Sequence, residues 1–365
     1  MRKAEKKAGE HRMKKKMLFL FNMKSGKGMI RNRLGEILDI FVKSGFEVTA
    51  HPTQCYKDAE QITMKEAGRY DIIVCSGGDG TLDEVVTGMM RCEEKDRRPI
   101  GYIPAGSTND FGNTLKINKK MEDAAWDVVQ GTPFACDIGA FNNDFFVYIA
   151  AFGAFTDVSY ETKQEVKNVL GHLAYMIEGM KRLPTLKSYQ MTIRYEDQEV
   201  SGKFLYGMIT NSDSVGGFKH IVGKDVKLND GVFEVVLIKE PRKPMDIQSI
   251  LTSILMRDIE HNERIITFKT NMLTIESENE IQWTLDGEFG GKHKKVEIVN
   301  KKEAVQILVN EGRNLEKLEK KNEIDEENEM TKEIEGEILT ISDLINAKLE
   351  SEYAEKENSD GISEN

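Results

Sequence analysis

The sequence predicts an α/β domain with a parallel, doubly wound sheet, followed by a second domain built mainly of antiparallel strands. Up to about residue 135, short apolar runs alternate with segments of helical periodicity. This alternation is typical of a parallel sheet covered by helices. After Asp137, strand-like runs separated by turns dominate, which favours an antiparallel β-sandwich.

The first domain begins with a predicted buried strand at Met17–Phe21. A helix follows, because apolar residues recur at i, i+3, i+4, i+7 and i+8, and Gly45 ends it. Its apolar face consists of Leu34, Ile37, Leu38, Phe41 and Val42. The further elements are the strand Phe46–Ala50, a weaker helix over about Asp58–Gly68, the strand Asp71–Cys75 with a helix after its glycine turn, the strand Ile100–Ile103, and a helix over Glu122–Gln130.

In the second domain, one helical segment interrupts the strands, with its apolar face between Val166 and Met180. The predicted strands are Phe145–Ala150, Tyr189–Tyr195, Phe204–Thr210, Phe233–Ile238, Ile265–Phe268, Leu273–Glu276, Ile281–Leu285, Val296–Val299 and Val305–Val309.

Charge is distributed unevenly along the 365 residues. Residues 311–365 hold 18 acidic and 7 basic side chains, which accounts for the whole net charge of −11. We interpret this segment as an acidic, partly disordered extension. The remaining chain is balanced, so it offers no broad basic surface for nucleic acid.

The basic leader, residues 1–16, holds eight Lys or Arg against two Glu. It is either a solvated leader or a segment attracted to an anionic membrane surface. No apolar run reaches the roughly 18 residues of a membrane span, so any membrane contact is expected to be peripheral. The four cysteines form no CxxC pair and indicate a cytoplasmic protein. A homodimer is left open, since homodimers are common.

The most informative motif is Gly77-Gly78-Asp79-Gly80-Thr81, between an apolar run and a helix-like stretch. Glycines allow a tight turn and close approach of backbone N–H groups to a ligand, and the helix start favours phosphate. A carboxylate inside such a cradle suits a Mg²⁺-nucleotide site. A plain tight turn is the alternative. A second loop, Pro104–Gly112, also ends a strand and favours ligand binding, since ligands of open α/β sheets bind there.

Four blocks together resemble the catalytic domain of the diacylglycerol kinase family, which includes soluble bacterial diacylglycerol kinases, sphingosine kinases and YegS-like lipid kinases. They are Asn22–Lys27, the GGDGT loop, the Pro104–Gly112 loop and Asp286-Gly287-Glu288. NAD kinases also carry GGDG, but the NDFG loop and the late DGE are not expected in them.

The resemblance implies a nucleotide-binding domain at residues 17–135 and a β-rich lipid-substrate domain at 136–310. It also implies that the nucleotide lies in the cleft between them and that the last strands return to the first domain. A lipid acceptor is expected near Phe152–Phe155 and Gly216–Phe218.

The resemblance also assigns site residues. It implies ATP contacts from Asn22, Ser25, Gly26, Thr53, the five residues Gly77 to Thr81, Glu84, Ser107, Asn109 and Asp110. Asp79 would belong to an Asp–water–Mg²⁺ network, while Asn109 and Asp110 brace their loop. Glu84 is also explained as an acid favoured at a helix N-terminus.

Glu288 is implied as the general base, although Asp-Gly alone reads as a β-turn. A second, structural Mg²⁺ is implied at the Asp230 carboxylate, with backbone oxygens near Lys227 and Val232. Asn229-Asp230-Gly231 is otherwise a hairpin turn.

The expected activity is an ATP-dependent lipid kinase that phosphorylates diacylglycerol to phosphatidic acid. The alternatives are another lipid acceptor such as a sphingoid base or phosphatidylglycerol, a NAD kinase, or a catalytically silent regulator. Departures from the family pattern at Met23, Asp83, Thr87 and Ser107 remove no catalytic group. They therefore bear on which acceptor the enzyme uses more than on whether it is active.

Overall fold

The computed structural model describes residues 14–153, 187–212, 214–215, 218–219, 226–255 and 258–310. These residues form two compact units. Within the described ranges, unit 1 comprises 14–107, 117–133 and 307–309, and unit 2 comprises the others. Most of the basic leader, the Val166–Met180 helix, part of the expected lipid-entry region and the acidic extension lie outside the described residues.

Unit 1 contains the predicted parallel sheet. The elements are β1 (Lys15–Phe21), α1 (Ile30–Lys43), β2 (Phe46–Pro52), α2 (Asp58–Glu66), β3 (Ile72–Gly77), α3 (Asp79–Arg91), β4 (Ile100–Pro104) and, after the short helix α4 (Asp110–Thr114) of unit 2, α5 (Met121–Gln130). The strand order is β2-β1-β3-β4, and Ile307 of the last strand of the chain pairs in parallel with Ile100 of β4.

The helices of unit 1 pack in two pairs, α1 with α5 and α2 with α3. β3 and β4 are buried along their whole length, as expected of central strands in a sheet covered by helices. α1 buries Ile30, Ile37, Ile40 and Phe41, whereas Val42 is 53% exposed. The buried face of α1 is therefore rotated about the helix axis relative to the predicted apolar face. Ile40 lies three residues from Ile37 and belongs to the buried stripe, whereas Val42 does not.

The elements of unit 2 are β5 (Thr132–Phe141), β6 (Asp144–Phe146), β7 (Ile149–Gly153), β8 (Tyr189–Tyr195), β9 (Gln198–Thr210), β10 (Ser214–Val215), β11 (Phe218–Lys219), β12 (Phe233–Lys239), α6 (Pro244–Leu255), β13 (Ile265–Thr270), β14 (Met272–Leu285) and β15 (Glu288–Val309). Neighbouring strands in the sheet order β13-β12-β9-β7-β14-β15 are antiparallel. β8 pairs in the same way with both β9 and β14.

The long strands β9 and β14 organise unit 2. One half of β9 and one half of β14 pair with β7, and the other halves pair with β8. β7 and β8 therefore both lie between β9 and β14, at different points along their length. Their inward residues form the main core, in which the Trp283 ring contacts Phe141 and Phe152 edge-on with centroids 5.0 and 4.9 Å apart. Such edge contacts between buried rings are favourable.

Several predicted elements of the second domain differ from the structure. The run Phe145–Ala150 was predicted as one strand, but it is split between β6 and β7. The backbone N–H groups of the three residues from Val147 to Ile149 bond to the Asp286 carboxylate, which ends the ladder there. Conversely, predicted strand pairs merge into the single long strands β14 and β15.

The helix α6 was missed by the strand prediction. It begins at Pro244, the first helical position that proline favours, and buries Ile247 and Ile250 at a helical spacing. These signals were present in the sequence. No element was predicted between the strands Phe233–Ile238 and Ile265–Phe268.

Candidate active site

The GGDGT motif joins β3 to α3 as predicted. Gly78 has an extended backbone and precedes the first residue of α3, Asp79, and its carbonyl accepts the N–H of Thr81 at 3.0 Å. A Cβ added at Gly77 would lie 2.2 Å from Thr81 Oγ1. A side chain therefore does not fit there, and the following helix presents its positive N-terminus to whatever the turn binds.

Two other loops contact this turn. The carbonyl of Ser76 accepts the Asn22 N–H at 2.9 Å, and that of Gly77 accepts the Ala105 N–H at 2.7 Å. Gly26 has φ +51° and a Cβ there would lie 1.8 Å from Ala105 O. Glycine is required, because the loops after β1 and β4 meet at this point. The close packing brings together residues that the sequence places far apart.

Apart from Glu84, the residues of unit 1 that were predicted to bind nucleotide lie at one edge of its sheet. Asn22 follows β1, Thr53 follows β2, the GGDGT turn follows β3 and Ser107 follows β4. Thr53 is fixed to the end of β1 by its N–H, 2.9 Å from Phe21 O. This is the carboxyl edge of a parallel sheet, where ligands of open α/β sheets bind.

Glu84 has a definite structural role that the sequence did not reveal. Its two carboxylate oxygens accept the backbone N–H groups of Lys57 at 2.8 Å and Ala59 at 3.1 Å. Glu84 is therefore turned towards the N-terminus of α2, not towards the N-terminus of its own helix. Burial raises the pKa of Glu84, and the two N–H donors oppose that rise.

The second half of the Pro104–Gly112 loop belongs to unit 2. Asn109 has φ +52° and precedes α4, and Asp110 is buried as its first residue. The Thr114 hydroxyl bonds to Asp110 O at 3.2 Å and lies 2.7 Å from Ser212 Oγ. The left-handed conformation of Asn109 fits its residue type, since asparagine tolerates it better than most.

The Asp286-Gly287 pair forms the tight turn between β14 and β15. Both residues have positive φ, +49° and +85°, and Leu285 pairs with Glu288 across the turn. This is the geometry of a type I′ hairpin. Glu288 is exposed as the first residue of β15. The turn interpretation and the family motif are therefore compatible, since the turn presents the glutamate.

Asp286 is buried, and its carboxylate anchors the backbone before β7. It accepts the N–H groups of Val147, Tyr148 and Ile149 at 2.5, 3.0 and 3.0 Å. The two acids of the motif thus face different surroundings. Asp286 is bonded within unit 2, and Glu288 is left at the surface of its strand.

Asp137 was not singled out by sequence reasoning, yet it is fully buried. Its carboxylate accepts the N–H of Gly231 and of Glu303, each at 2.7 Å, and the Asn300 amide at 3.3 Å. Asp137 therefore fixes the turn that carries Asp230. The one available signal was an acid within an apolar run, inside what is β5, and such an acid is too common to identify it.

Asp230 itself is exposed, and its Oδ1 accepts the Val232 N–H at 3.2 Å. Among the described residues, no group of three or more His, Cys, Asp or Glu side chains is placed to hold a metal ion. In the same part of the chain, no helix is long and apolar enough to cross a membrane.

Comparison with known proteins decides the family. A diacylglycerol kinase catalytic domain model matches residues 16–141, and a YegS C-terminal NAD kinase beta sandwich-like domain model matches residues 151–309. Diacylglycerol kinase from Bacillus subtilis (strain 168) is 34% identical over 280 residues, 76% of this chain and 91% of that protein.

This chain belongs to the diacylglycerol kinase family. Diacylglycerol kinase from Staphylococcus aureus (strain Newman) is likewise 34% identical, over 77% of this chain and 88% of that protein. A solved structure of a Bacillus anthracis str. Sterne protein has a TM-score of 0.72 at 24% identity, covering 83% of this chain and 98% of its own. That likeness concerns the fold.

The comparisons confirm three predictions made from the sequence. The chain is a lipid kinase of the diacylglycerol kinase family, and it combines an α/β catalytic domain with a β-sandwich-like domain. It is an ATP-dependent kinase that acts on an alcohol. The two motifs that were predicted to carry acidic site residues, Gly77–Thr81 and Asp286-Gly287-Glu288, both form turns in the structure.

Proposed function

We propose that the protein transfers the γ-phosphoryl group of ATP to the free hydroxyl of diacylglycerol and forms phosphatidic acid. Relatives named diacylglycerol kinase, 34% identical over most of their length, support this acceptor. The observation that carries the chemistry is Glu288, an exposed carboxylate presented by a type I′ turn. Nothing else in that turn offers a base, since Asp286 is bonded to backbone.

Each site residue then has a role. The Gly77–Thr81 turn and the start of α3 bind the phosphates of ATP, with help from Asn22, Ser25, Gly26 and Ser107. Glu288 accepts the proton of the lipid hydroxyl as its oxygen bonds to the γ-phosphorus, and the bond to the ADP oxygen breaks. Loss of a positioned base lowers the rate by about 10²–10⁴-fold.

The residues present fit a Mg²⁺ ion held mostly by nucleotide and water. Asp79 is a half-buried carboxylate at the cradle, and the described residues provide no larger acidic cluster. Mg²⁺ commonly binds through one or two carboxylates with phosphates and waters, and it would neutralise charge on the phosphates. Asp230, together with the backbone oxygens of Lys227 and Val232 that the family resemblance implies, would hold the second, structural ion.

The test uses γ-labelled ATP, Mg²⁺ and mixed micelles that contain diacylglycerol, sphingosine or phosphatidylglycerol, with NAD in a parallel reaction. We expect label in phosphatidic acid, lost in Glu288→Gln and Asp79→Asn. Glu297→Gln is the matched control, because Glu297 is an exposed acid on the same strand as Glu288. Label in another product would contradict the acceptor, and label in none would contradict the function.

Peripheral membrane contact and homodimerisation remain predictions. If the basic leader binds anionic membranes, vesicle binding should weaken steeply with salt and disappear when residues 2–16 are deleted. Salt-insensitive binding would contradict that role. Sedimentation of the purified protein would test the dimer.

A further inference from the structure

The loop between β2 and α2, residues Thr53–Lys57, is held in place by hydrogen bonds to groups outside it. Its first residue is bonded to β1 through the Thr53 N–H, and the Gln54 N–H bonds to Asp58 Oδ2 at 2.8 Å. Its last residue, Lys57, has φ +63° and donates its N–H to Glu84. The backbone of this loop is therefore fixed at both ends.

Lys57 adopts a conformation that ordinary residues avoid. A left-handed backbone brings the Cβ of an L-residue too close to the following carbonyl oxygen, so something must compensate. Glu84 supplies the compensation, because its carboxylate spans the N–H groups of Lys57 and Ala59. These two donors stand at the N-terminus of α2, where backbone N–H groups lack partners within the helix.

Glu84 also belongs to the helix that starts with the GGDGT turn. It is the sixth residue of α3, which begins at Asp79. A single side chain therefore connects the proposed phosphate-binding helix with the loop that carries Thr53. The arrangement uses both carboxylate oxygens in bonds to the backbone, which leaves Glu84 engaged within unit 1.

The geometry points to Glu84 as a positioning residue that holds the Thr53–Lys57 loop against α3 so that the loop can contribute to nucleotide binding. Glu84 does this without contacting ATP itself. The inference rests on the proposed nucleotide site, and it reassigns a residue that family resemblance would place on the ligand.

The test compares Glu84→Ala and Glu84→Gln with the parent protein in two measurements. Hydrogen exchange of peptides covering residues 53–60 reports the loop directly and needs no catalysis. Because hydrogen bonds to a charged acceptor are among the stronger ones, we expect exchange at Lys57 and Ala59 to be about tenfold faster in Glu84→Ala. Glu84→Gln keeps one acceptor oxygen and should lie between the two.

The second measurement is ATP binding by calorimetry without lipid, together with steady-state kinetics. A positioning role predicts about tenfold weaker ATP binding and a similarly raised KM for ATP, with kcat and the KM for lipid nearly unchanged. Asp58→Ala should show a milder form of the same effect, because it frees the Gln54 N–H. Glu66→Gln is the matched charge control, because it removes a half-buried acid of α2 whose partner is the Arg69 side chain and not the loop.

Unchanged exchange of the loop in Glu84→Ala would overturn the inference, and so would a loosened loop that still binds ATP normally. A circular dichroism spectrum of each variant confirms that it is folded. If no variant or parent showed kinase activity, the exchange and calorimetry results would still test Glu84. Failure of the proposed function is therefore distinguishable from failure of the positioning role.

Discussion

Asp286 and Glu288 are two residues apart, yet the structure predicts that one determines stability and the other activity. Replacing Asp286 by alanine leaves three buried N–H groups before and within β7 without their acceptor. Each such loss costs about 1–3 kcal/mol, and entry of water limits the sum. We therefore expect a loss of about 3–5 kcal/mol in the free energy of unfolding.

For a chain of this size, that loss corresponds to a Tm about 5 °C lower. Thermal unfolding followed by circular dichroism at pH 7 measures it. Asp286→Asn retains one acceptor oxygen and should lose less. Glu288→Gln is the control, because Glu288 is exposed, and its Tm should stay within about 2 °C while its kinase rate falls by about 10²–10⁴-fold. An Asp286→Ala protein that melts with the parent would refute the reasoning.

Three further predictions test the loops and the surface. Gly26→Ala should weaken ATP binding at least about tenfold, because the alanine Cβ would lie 1.8 Å from a carbonyl oxygen. Gly45→Ala is the control, because Gly45 also has a positive φ but nothing lies within 4 Å of an added Cβ. Calorimetry should show unchanged ATP affinity for that variant. Of the four thiols only Cys55 is exposed, so one thiol per chain should react rapidly with a disulfide reagent at pH 8. ATP should slow that reaction, and an unchanged rate would contradict the nucleotide role of the adjoining loop. Hydrogen bonds, the strongest from the Lys295 side chain, lower the pKa of Glu276 from 4.5 to about 2. This acid therefore stabilises the fold above pH 4.5, and the effect is lost as the pH falls towards 2. The Tm difference between the parent and Glu276→Gln should accordingly shrink below pH 4.5, and a constant difference would contradict the assignment.

The sequence predicted the parallel half of the molecule well, because its signals are local. Buried strands such as Ile72–Gly77 read as continuous apolar runs, and glycine turns follow them directly. The position of Gly45 correctly ended α1, where it has φ +91°. The buried face of α1 was predicted less accurately, since this helix has more apolar residues than fit on one buried stripe.

The antiparallel half was predicted less accurately, because its strand boundaries depend on distant contacts. Nothing in the run Phe145–Ala150 reveals that a carboxylate 138 positions away from Tyr148 interrupts the strand. Likewise, β14 and β15 are long because each pairs with several strands in succession along its length, although each contains a register irregularity or a residue with positive φ. Local periodicity cannot show such constraints.

The candidate site follows the same division. The glycines at the cradle could be identified from sequence, since their requirement arises from a short turn between a strand and a helix. The acids Glu84, Asp137 and Asp286 could not be assigned this way, because each bonds to backbone more than 20 residues away.

These three acids have a common physical function. Each is placed where two or three backbone N–H groups lack a partner in the regular ladder or helix, and a carboxylate satisfies several of them at once. A charged acceptor suits this position, because it bonds more strongly than a neutral one and leaves few oxygens for other ligands. An acid that resemblance assigns to a ligand therefore needs its hydrogen bonds counted before the role is accepted. By that criterion Glu288 remains available for catalysis, whereas Glu84 acts through the loop it holds.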